Sequence, residues 1–287
     1  MSVIFYIGVF LFGCAAGSFI NVCIYRLPQG KSLVKPGSFC PSCSAPIAWF
    51  DNIPLVSFLL LRGKCRSCSK KISFRYPAVE LLTGLLVLWI VYDCLQDGRS
   101  VFVLGVYVYL TLGLITVAFI DMHHEIIPDE ISLIGIPVAL ILSVLIPALH
   151  RDVPFFSALV GNGPAWINAG ISSLAGIVIG GGTLWVIGTV AGFLLKKEAM
   201  GFGDVKLMAM VGGLTGWVCM LMAFFLACAF GSIVGVIIMI KTKNRRIPFG
   251  PFLAAGTFLV LLYSREFLYF FTVVYPVWIR RIMGLGA

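Results

Sequence analysis

The chain has 287 residues, of which 60% are hydrophobic and 11% are charged, and its mean hydropathy is +1.04. These values lie outside the range of soluble globular domains and indicate a protein that crosses a membrane several times. The net charge of +9 would suggest nucleic-acid binding in a soluble chain. Basic loops on the cytoplasmic face explain that charge here, so we expect the lipid bilayer and no nucleic acid as a partner.

Apolar segments near the length of a membrane span follow one another along the chain. Beyond Asp204 the pattern is less regular and predicts two short helices broken near Gly213–Gly216, then a last span interrupted by Arg265 and Glu266. The sequence therefore predicts an all-α polytopic membrane protein with about eight transmembrane helices. The clear runs are 3–25, 77–95, 101–120, 131–149 and 167–195, followed by 205–240 and 250–279.

Glycines recur at intervals of four residues in the fifth apolar run. Such small-xxx-small spacing removes side chains from one face of a helix, so that a neighbouring helix can approach closely. We interpret these glycines as packing residues rather than as a chemical site: Gly176, Gly180, Gly188 and Gly192.

Basic residues are concentrated in two loops. Loop 26–76 contains nine lysines and arginines and a single acid, Asp51, and loop 241–246 contains four more basic residues. Because cytoplasmic loops carry an excess of positive charge, both loops are predicted to be cytoplasmic. Counting spans from these loops places Asp121 and Asp204 at the cytoplasmic edge as well.

The basic loop 26–76 contains two C-x2-C turns, Cys40 with Cys43 and Cys65 with Cys68. Paired turns of this kind are typical of a zinc site, because each one presents two thiolates to the same tetrahedral ion. Disulfides are the alternative, and they are rare in the reducing cytoplasm. Four cysteine ligands leave no open position for water, so we predict a small zinc-binding cytoplasmic loop domain whose metal is structural.

Asp204, in the segment Gly201–Asp204, and Asp121 each lie where an apolar run meets a short polar loop. An ionisable side chain at that position is costly and indicates a functional site. Two neighbouring carboxylates share one proton, so the ionised one can take a proton from an attacking water while the other donates to the scissile carbonyl. The alternative is that Asp204 caps a helix and Asp121 pairs with a basic residue. Asp129 is interpreted as a helix N-cap.

Taken together, five features resemble the bacterial type IV prepilin peptidases over most of the chain. They are Gly201-x-Gly203-Asp204 with Lys206, the segment from Ile120-Asp121 to Pro128-Asp129, the cysteine turns, the segment Gly17–Pro28 and the segment Arg75–Glu80. Presenilin-type proteases share the G-x-G-D element alone, but the combination is specific. A presenilin-like intramembrane protease and a transporter with a zinc-sensing loop are the alternatives.

The resemblance implies a bifunctional enzyme of the bacterial inner membrane. It would remove the leader peptide of type IV prepilins or type II secretion pseudopilins at the cytoplasmic face, then methylate the new N-terminus with S-adenosylmethionine. Asp121 and Asp204 match the catalytic pair of that family, and the four loop cysteines match its zinc ligands. No residue is assigned to S-adenosylmethionine. The chain is accordingly divided into a first transmembrane helix (1–25), a cytoplasmic tetracysteine zinc loop (26–76) and a membrane-embedded aspartic peptidase bundle (77–287).

Overall fold

The structure is a computed structural model that describes residues 2–150, 163–196, 200–242 and 248–277. Within those ranges the chain is helical apart from its loops, and the extended pairing there is limited to two isolated β-bridges. This confirms the predicted all-α class. The elements are α1 (Val3–Arg26), α2 (Val56–Leu60), α3 (Arg75–Gln96), α4 (Val101–His124), α5 (Asp129–Leu145), α6 (Ala165–Leu195), α7 (Phe202–Thr215), α8 (Trp217–Thr242) and α9 (Gly250–Tyr269), with 3₁₀ turns at Leu27–Gln29, Trp49–Asn52 and Pro147–His150 and a π-helical turn at Phe270–Val274.

In the described part of the chain, six helices are long and apolar enough to cross a membrane: α1, α3, α4, α6, α8 and α9. Helix α5 has 17 residues and α7 has 14, fewer than the roughly 20 that a bilayer core requires. The chain is therefore a multi-pass helical membrane protein, as predicted. The count of eight spans stays a prediction.

The predicted break in the region after Asp204 is confirmed at Gly216. This residue separates α7 from α8 with φ 82° and ψ 160°, a backbone conformation that glycine adopts without steric cost. In the last span, α9 contains one non-helical residue, Tyr263, two positions before Arg265. The final two residues of that predicted span, 278 and 279, lie outside the described residues.

The helix ends near the two aspartates differ from the predicted ones. Helix α4 continues to His124, beyond the predicted end at residue 120, so Asp121 is part of the helix. Helix α7 begins at Phe202, which places Asp204 in its first turn rather than in a loop. The physical reason is that hydropathy reports where a helix can contact lipid, whereas backbone hydrogen bonding continues into polar sequence.

The chain divides into two compact units, Met1–Pro128 and Asp129–Ala287. In the first unit α1 and α3 run antiparallel with their backbones close together. A Cβ on Gly13 would lie 2.8 Å from the Cα of Gly84, and a Cβ on Gly17 would lie 2.7 Å from the Cα of Glu80. The predicted division into residues 1–25, 26–76 and 77–287 does not coincide with these two units. The two units do not test it, so it stays a prediction.

Helix α4 joins this pair through a buried cluster of Ile20, Ile24, Val79, Ile115 and Ile120. These residues come from the C-terminal parts of α1 and α4 and from the N-terminal part of α3. The same end of the first unit therefore holds the loop between α1 and α3 and the C-terminal turn of α4. Within this unit, that arrangement agrees with the predicted placement of the cysteine loop and the end of α4 on one side of the membrane.

Helix α7 is the centre of the second unit, where it contacts α5, α6, α8 and α9. All of its residues from Leu207 to Thr215 are buried. The glycine face of α6 packs on it at two of the four predicted glycines: the backbones of Gly176 and Gly212 are in direct contact, and a Cβ on Gly180 would lie 2.5 Å from the carbonyl oxygen of Met208. The core of the second unit therefore fixes the position of α7.

Candidate functional site

Asp204 is the third residue of α7 and only 8% of its surface is exposed. Its backbone N–H donates to the carbonyl oxygen of Gly201 (3.2 Å), which closes the first turn of the helix. Its carboxylate oxygen Oδ2 lies 3.5 Å from the place that a Cβ on Gly201 would occupy, an ordinary contact distance. The first-turn N–H groups of a helix favour a negative charge at this position.

An ion pair connects the starts of α5 and α7. The Nζ atom of Lys206 lies 2.6 Å from Oδ1 of Asp129 and stands over the ring of Phe202, 5.2 Å from its centroid. Asp129 is the first residue of α5, close to its predicted place at a helix N-terminus. Its partner was not predicted, because the two residues are 77 positions apart and no sequence spacing rule relates them.

Asp121 is the fourth residue from the end of α4 and is 7% exposed. Its backbone carbonyl accepts a hydrogen bond from the N–H of Glu125 (2.9 Å), which ends the helix in the left-handed conformation with φ 54°. The C-terminal turn of a helix disfavours a negative charge. Asp121 belongs to the first unit and Asp204 to the second, and the pairing of the two stays a prediction.

The four loop cysteines, Cys40, Cys43, Cys65 and Cys68, come together in the first unit. Their Sγ atoms all lie within 4.8 Å of one another, and the Sγ atoms of Cys40 and Cys68 are 4.0 Å apart. A tetrahedral ion with Zn–S bonds of about 2.3 Å separates its thiolates by roughly 3.8 Å. The cluster therefore fits one tetrahedral metal ion, and the four cysteines form no disulfide.

The two cysteine turns repeat one backbone structure. In each, the N–H of the first cysteine donates to the carbonyl five residues later, and the N–H four residues later donates back to that cysteine, with distances of 2.8 to 2.9 Å. Ser44 and Ser69 occupy the same left-handed position, with φ 57° and 58°. The sequence carries the signal, since 38–47 and 63–72 share cysteine, serine, cysteine, serine and isoleucine at equivalent positions.

An ion pair and backbone N–H groups contribute further contacts to the cysteine turns. Arg66 donates from Nε and Nη2 to the two carboxylate oxygens of Asp51, each at 2.6 Å, and this contact lowers the pKa of Asp51. The backbone N–H groups of Ser42 and Cys43 lower the pKa of the Cys40 thiol to about 6. A lowered pKa favours the thiolate, which is the form that binds a metal.

Glu80 has a polar role that the sequence analysis did not assign. It lies in α3, is 9% exposed, and accepts a hydrogen bond from the backbone N–H of Leu55 (2.9 Å). Leu55 holds a strained left-handed φ of 62°. The sequence did contain a signal for this residue, because an acidic side chain inside an otherwise apolar helix is energetically costly and indicates a functional residue.

These features define a multi-pass helical membrane protein with a tetracysteine cluster that fits a metal ion and with two buried aspartates at helix ends. The model of the bacterial peptidase A24 N-terminal domain matches residues 11–94, and the model of the type IV leader peptidase family matches residues 108–236. The first match contains the four cysteines, and the second contains Asp121 and Asp204.

Curated relatives extend the match to most of the chain. A prepilin leader peptidase/N-methyltransferase of Aeromonas hydrophila is 33% identical over 283 residues, which cover 89% of this chain and 90% of that protein. The Neisseria gonorrhoeae protein of the same name is 35% identical (86% and 87% covered), and that of Myxococcus xanthus is 34% identical (83% and 64% covered). The chain belongs to the type IV leader peptidase family. No solved structure is significantly similar to it.

Proposed function

We propose that this protein removes the leader peptide of type IV prepilins or pseudopilins and then methylates the new N-terminus. The observation that carries the proposal is the similarity to relatives named prepilin leader peptidase/N-methyltransferase, which spans both family regions of the chain. The two activities are an aspartic endopeptidase and a methyltransferase. Its proposed substrates are pilin precursors, and the enzyme itself is a multi-pass membrane protein.

Asp121 and Asp204 are proposed as the catalytic pair. The two side chains are buried, which is unusual for a carboxylate without a specific role. Asp204 is three residues before a helix segment that is buried throughout, so its backbone is held rigidly. The ion pair of Lys206 with Asp129 also holds the first turn of α7, which contains Asp204.

The helix positions suggest different roles for the two acids. Asp204 lies in a first turn, where the helix dipole favours a carboxylate, so we assign it the role of general base toward the attacking water. Asp121 lies in a last turn, where the dipole favours the neutral acid, so we assign it the proton donated to the scissile carbonyl. After the amide C–N bond breaks, the proton taken from water is delivered to the leaving amine.

Zinc is the metal proposed for the tetracysteine cluster. Four thiolates at tetrahedral spacing complete its coordination shell, so the ion supplies folding energy to the loop and offers no site for a reacting water. The hydrogen bonds of the two cysteine turns hold the ligands in place. The methyl donor is S-adenosylmethionine, as the methyltransferase name of the relatives suggests.

We further propose that the protein lies in the bacterial inner membrane with its active site at the cytoplasmic face. The loop between α1 and α3 carries most of the basic residues of the first unit, as cytoplasmic loops do. The presenilin-like and transporter alternatives have no observation that favours them over the family assignment.

The proposal is tested by replacing Asp121 and Asp204 separately by asparagine, which keeps the shape of the side chain but cannot ionise. Purified variants in lipid nanodiscs are incubated with a prepilin and S-adenosylmethionine, and the N-terminal peptide of the product is weighed. Either change should reduce cleavage at least a thousandfold, and the double variant should lose little more, because the pair acts as a unit. Asp97→Asn, in the linker after α3, is the matched control. Cleavage near the wild-type rate in either single variant would remove that residue from the catalytic pair.

A further inference from the structure

The first unit contains a cavity of about 580 Å³ between the ends of α1 and α3 and the tetracysteine loop. Its volume is typical of a small-molecule binding site. Neither Asp121 nor Asp204 lines it, whereas residues of both cysteine turns do. The cavity therefore does not include Asp121 and depends on the folded tetracysteine loop.

Two buried hydrogen-bond acceptors from neighbouring helices line this cavity. Glu80 of α3 accepts hydrogen bonds from the backbone N–H of Leu55 and from the side chain of Ser18. Asn21 of α1 is 4% exposed and donates through Nδ2 to the carbonyl of Tyr76 (3.1 Å), one helical turn before Glu80. The Oδ1 atom of Asn21 has no hydrogen-bond partner among the described residues. A buried acceptor left unpaired is costly, so its presence beside a carboxylate indicates a ligand that supplies positive charge or N–H groups.

The lining also offers basic groups beside several rings: Lys70 and Lys71 of the loop, and Arg75, whose guanidinium lies 5.4 Å from the ring centroid of Tyr76. The buried Nε atom of Arg75 has no hydrogen-bond partner in the described part of the chain. Two other lining arginines are occupied: Arg26 donates to three backbone carbonyls, and Arg66 pairs with Asp51. The aromatic side chains that line the cavity are Tyr25, Phe39, Phe50, Phe58 and Tyr76.

Taken together, the lining matches a zwitterionic ligand with an aromatic base. We propose that this cavity binds S-adenosylmethionine, with Glu80 and Asn21 toward its sulfonium and ammonium groups, Arg75 toward its carboxylate and the rings against its adenine. Aromatic faces favour both stacking and the positive sulfonium. The inference rests on the proposed methyltransferase function and names the site where that activity takes its donor.

The reaction at this site is a direct transfer. The lone pair of the new N-terminal amine forms a bond to the methyl carbon, and the C–S bond breaks with its electron pair going to sulfur. The methylated nitrogen then releases its surplus proton to water. The products are the N-methylated peptide and neutral S-adenosylhomocysteine, which has lost the positive charge that Glu80 recognises.

Binding measurements on the full-length, zinc-loaded protein in nanodiscs test the proposal. Calorimetry with S-adenosylmethionine, S-adenosylhomocysteine and ATP should show that wild type prefers the sulfonium donor over both other nucleosides. Glu80→Gln keeps an oxygen for the Leu55 N–H but removes the charge, and it should weaken donor binding at least about tenfold while changing S-adenosylhomocysteine binding far less. Glu130→Gln, an exposed position on α5, is the matched control, and zinc content reports on folding.

If Glu80→Gln weakens the binding of S-adenosylmethionine and of S-adenosylhomocysteine equally, Glu80 has a structural role. That result would overturn the proposal that Glu80 recognises the positive charge of the donor. ATP binding as tight as donor binding would also overturn it. As a test independent of variants, ultraviolet crosslinking of labelled S-adenosylmethionine to wild type, followed by peptide mapping, should label peptides within residues 18–80.

Two assays separate this inference from the proposed function. If wild type methylates a synthetic mature N-terminal peptide but the crosslink maps to the second unit, the cavity is not the donor site and the methyltransferase function stands. If wild type neither binds donor nor methylates that peptide, the methyltransferase function itself fails, and the cavity assignment fails with it.

Discussion

Replacing Gly180 by alanine should slow leader cleavage while leaving the metal centre intact. The new Cβ would lie 2.5 Å from the carbonyl oxygen of Met208 and 3.1 Å from its carbonyl carbon. A normal C···O contact is about 3.3 Å, so α6 and α7 must separate by roughly 0.8 Å at this point. The obstructing atoms are backbone atoms, which cannot rotate out of the way as a side chain can.

The displacement should reach the catalytic turn because Met208 lies one helical turn after Asp204. A misplacement of about 1 Å at a reacting group can cost on the order of a hundredfold in rate. We therefore expect cleavage to fall roughly ten- to a hundredfold, with a loss of about 1–3 kcal/mol in the free energy of unfolding from overpacking.

Gly182→Ala is the matched control on the same helix. A Cβ at Gly182 would meet no other heavy atom within 4 Å, and both substitutions gain about 1 kcal/mol of helix propensity. The assay is the initial rate of cleavage of a prepilin in nanodiscs, together with thermal unfolding and zinc content. Equal rates for the two variants would refute the argument that α6 positions Asp204, and loss of zinc in Gly180→Ala would show a global rather than a local effect.

Three further predictions concern the metal site and the ion pair of Asp129 with Lys206. Replacing Cys40 and Cys43 together by serine should release the metal, measured by elemental analysis, and should reduce methylation much more than cleavage; a full equivalent of zinc in that variant would mean that the ligands are misassigned. The affinity of the wild-type loop for zinc should also fall as the pH is lowered, because protons compete with the metal for the four thiolates. Lys206→Met and Asp129→Asn should each slow cleavage, and the double variant should lose less than the product of the two effects because they break one ion pair; multiplicative losses would show that the residues act independently.

Local sequence predicted the structural surroundings of some site residues but not of others. The cysteine ligands were predicted because each C-x2-C turn is a local structure, whose hydrogen bonds lie within six residues. The two aspartates were singled out because an acid at the end of an apolar run is costly in any fold. Their helical setting was missed, since hydropathy falls before backbone hydrogen bonding ends. The Glu80 contact to Leu55 spans 25 positions and has no local pattern.

The sequence by itself determined the helical membrane class of the fold and which four cysteines come together. A lipid environment requires long apolar helices whose backbone groups form hydrogen bonds within the helix. This requirement can be recognised from the composition of the chain and from the length of its apolar runs. Only the tertiary structure decided that the 14-residue α7 is the buried centre of its unit, that Lys206 pairs with Asp129, and that Glu80 and Asn21 line one cavity. Those outcomes depend on which faces of distant helices meet, because packing joins side chains that the linear order of residues keeps apart.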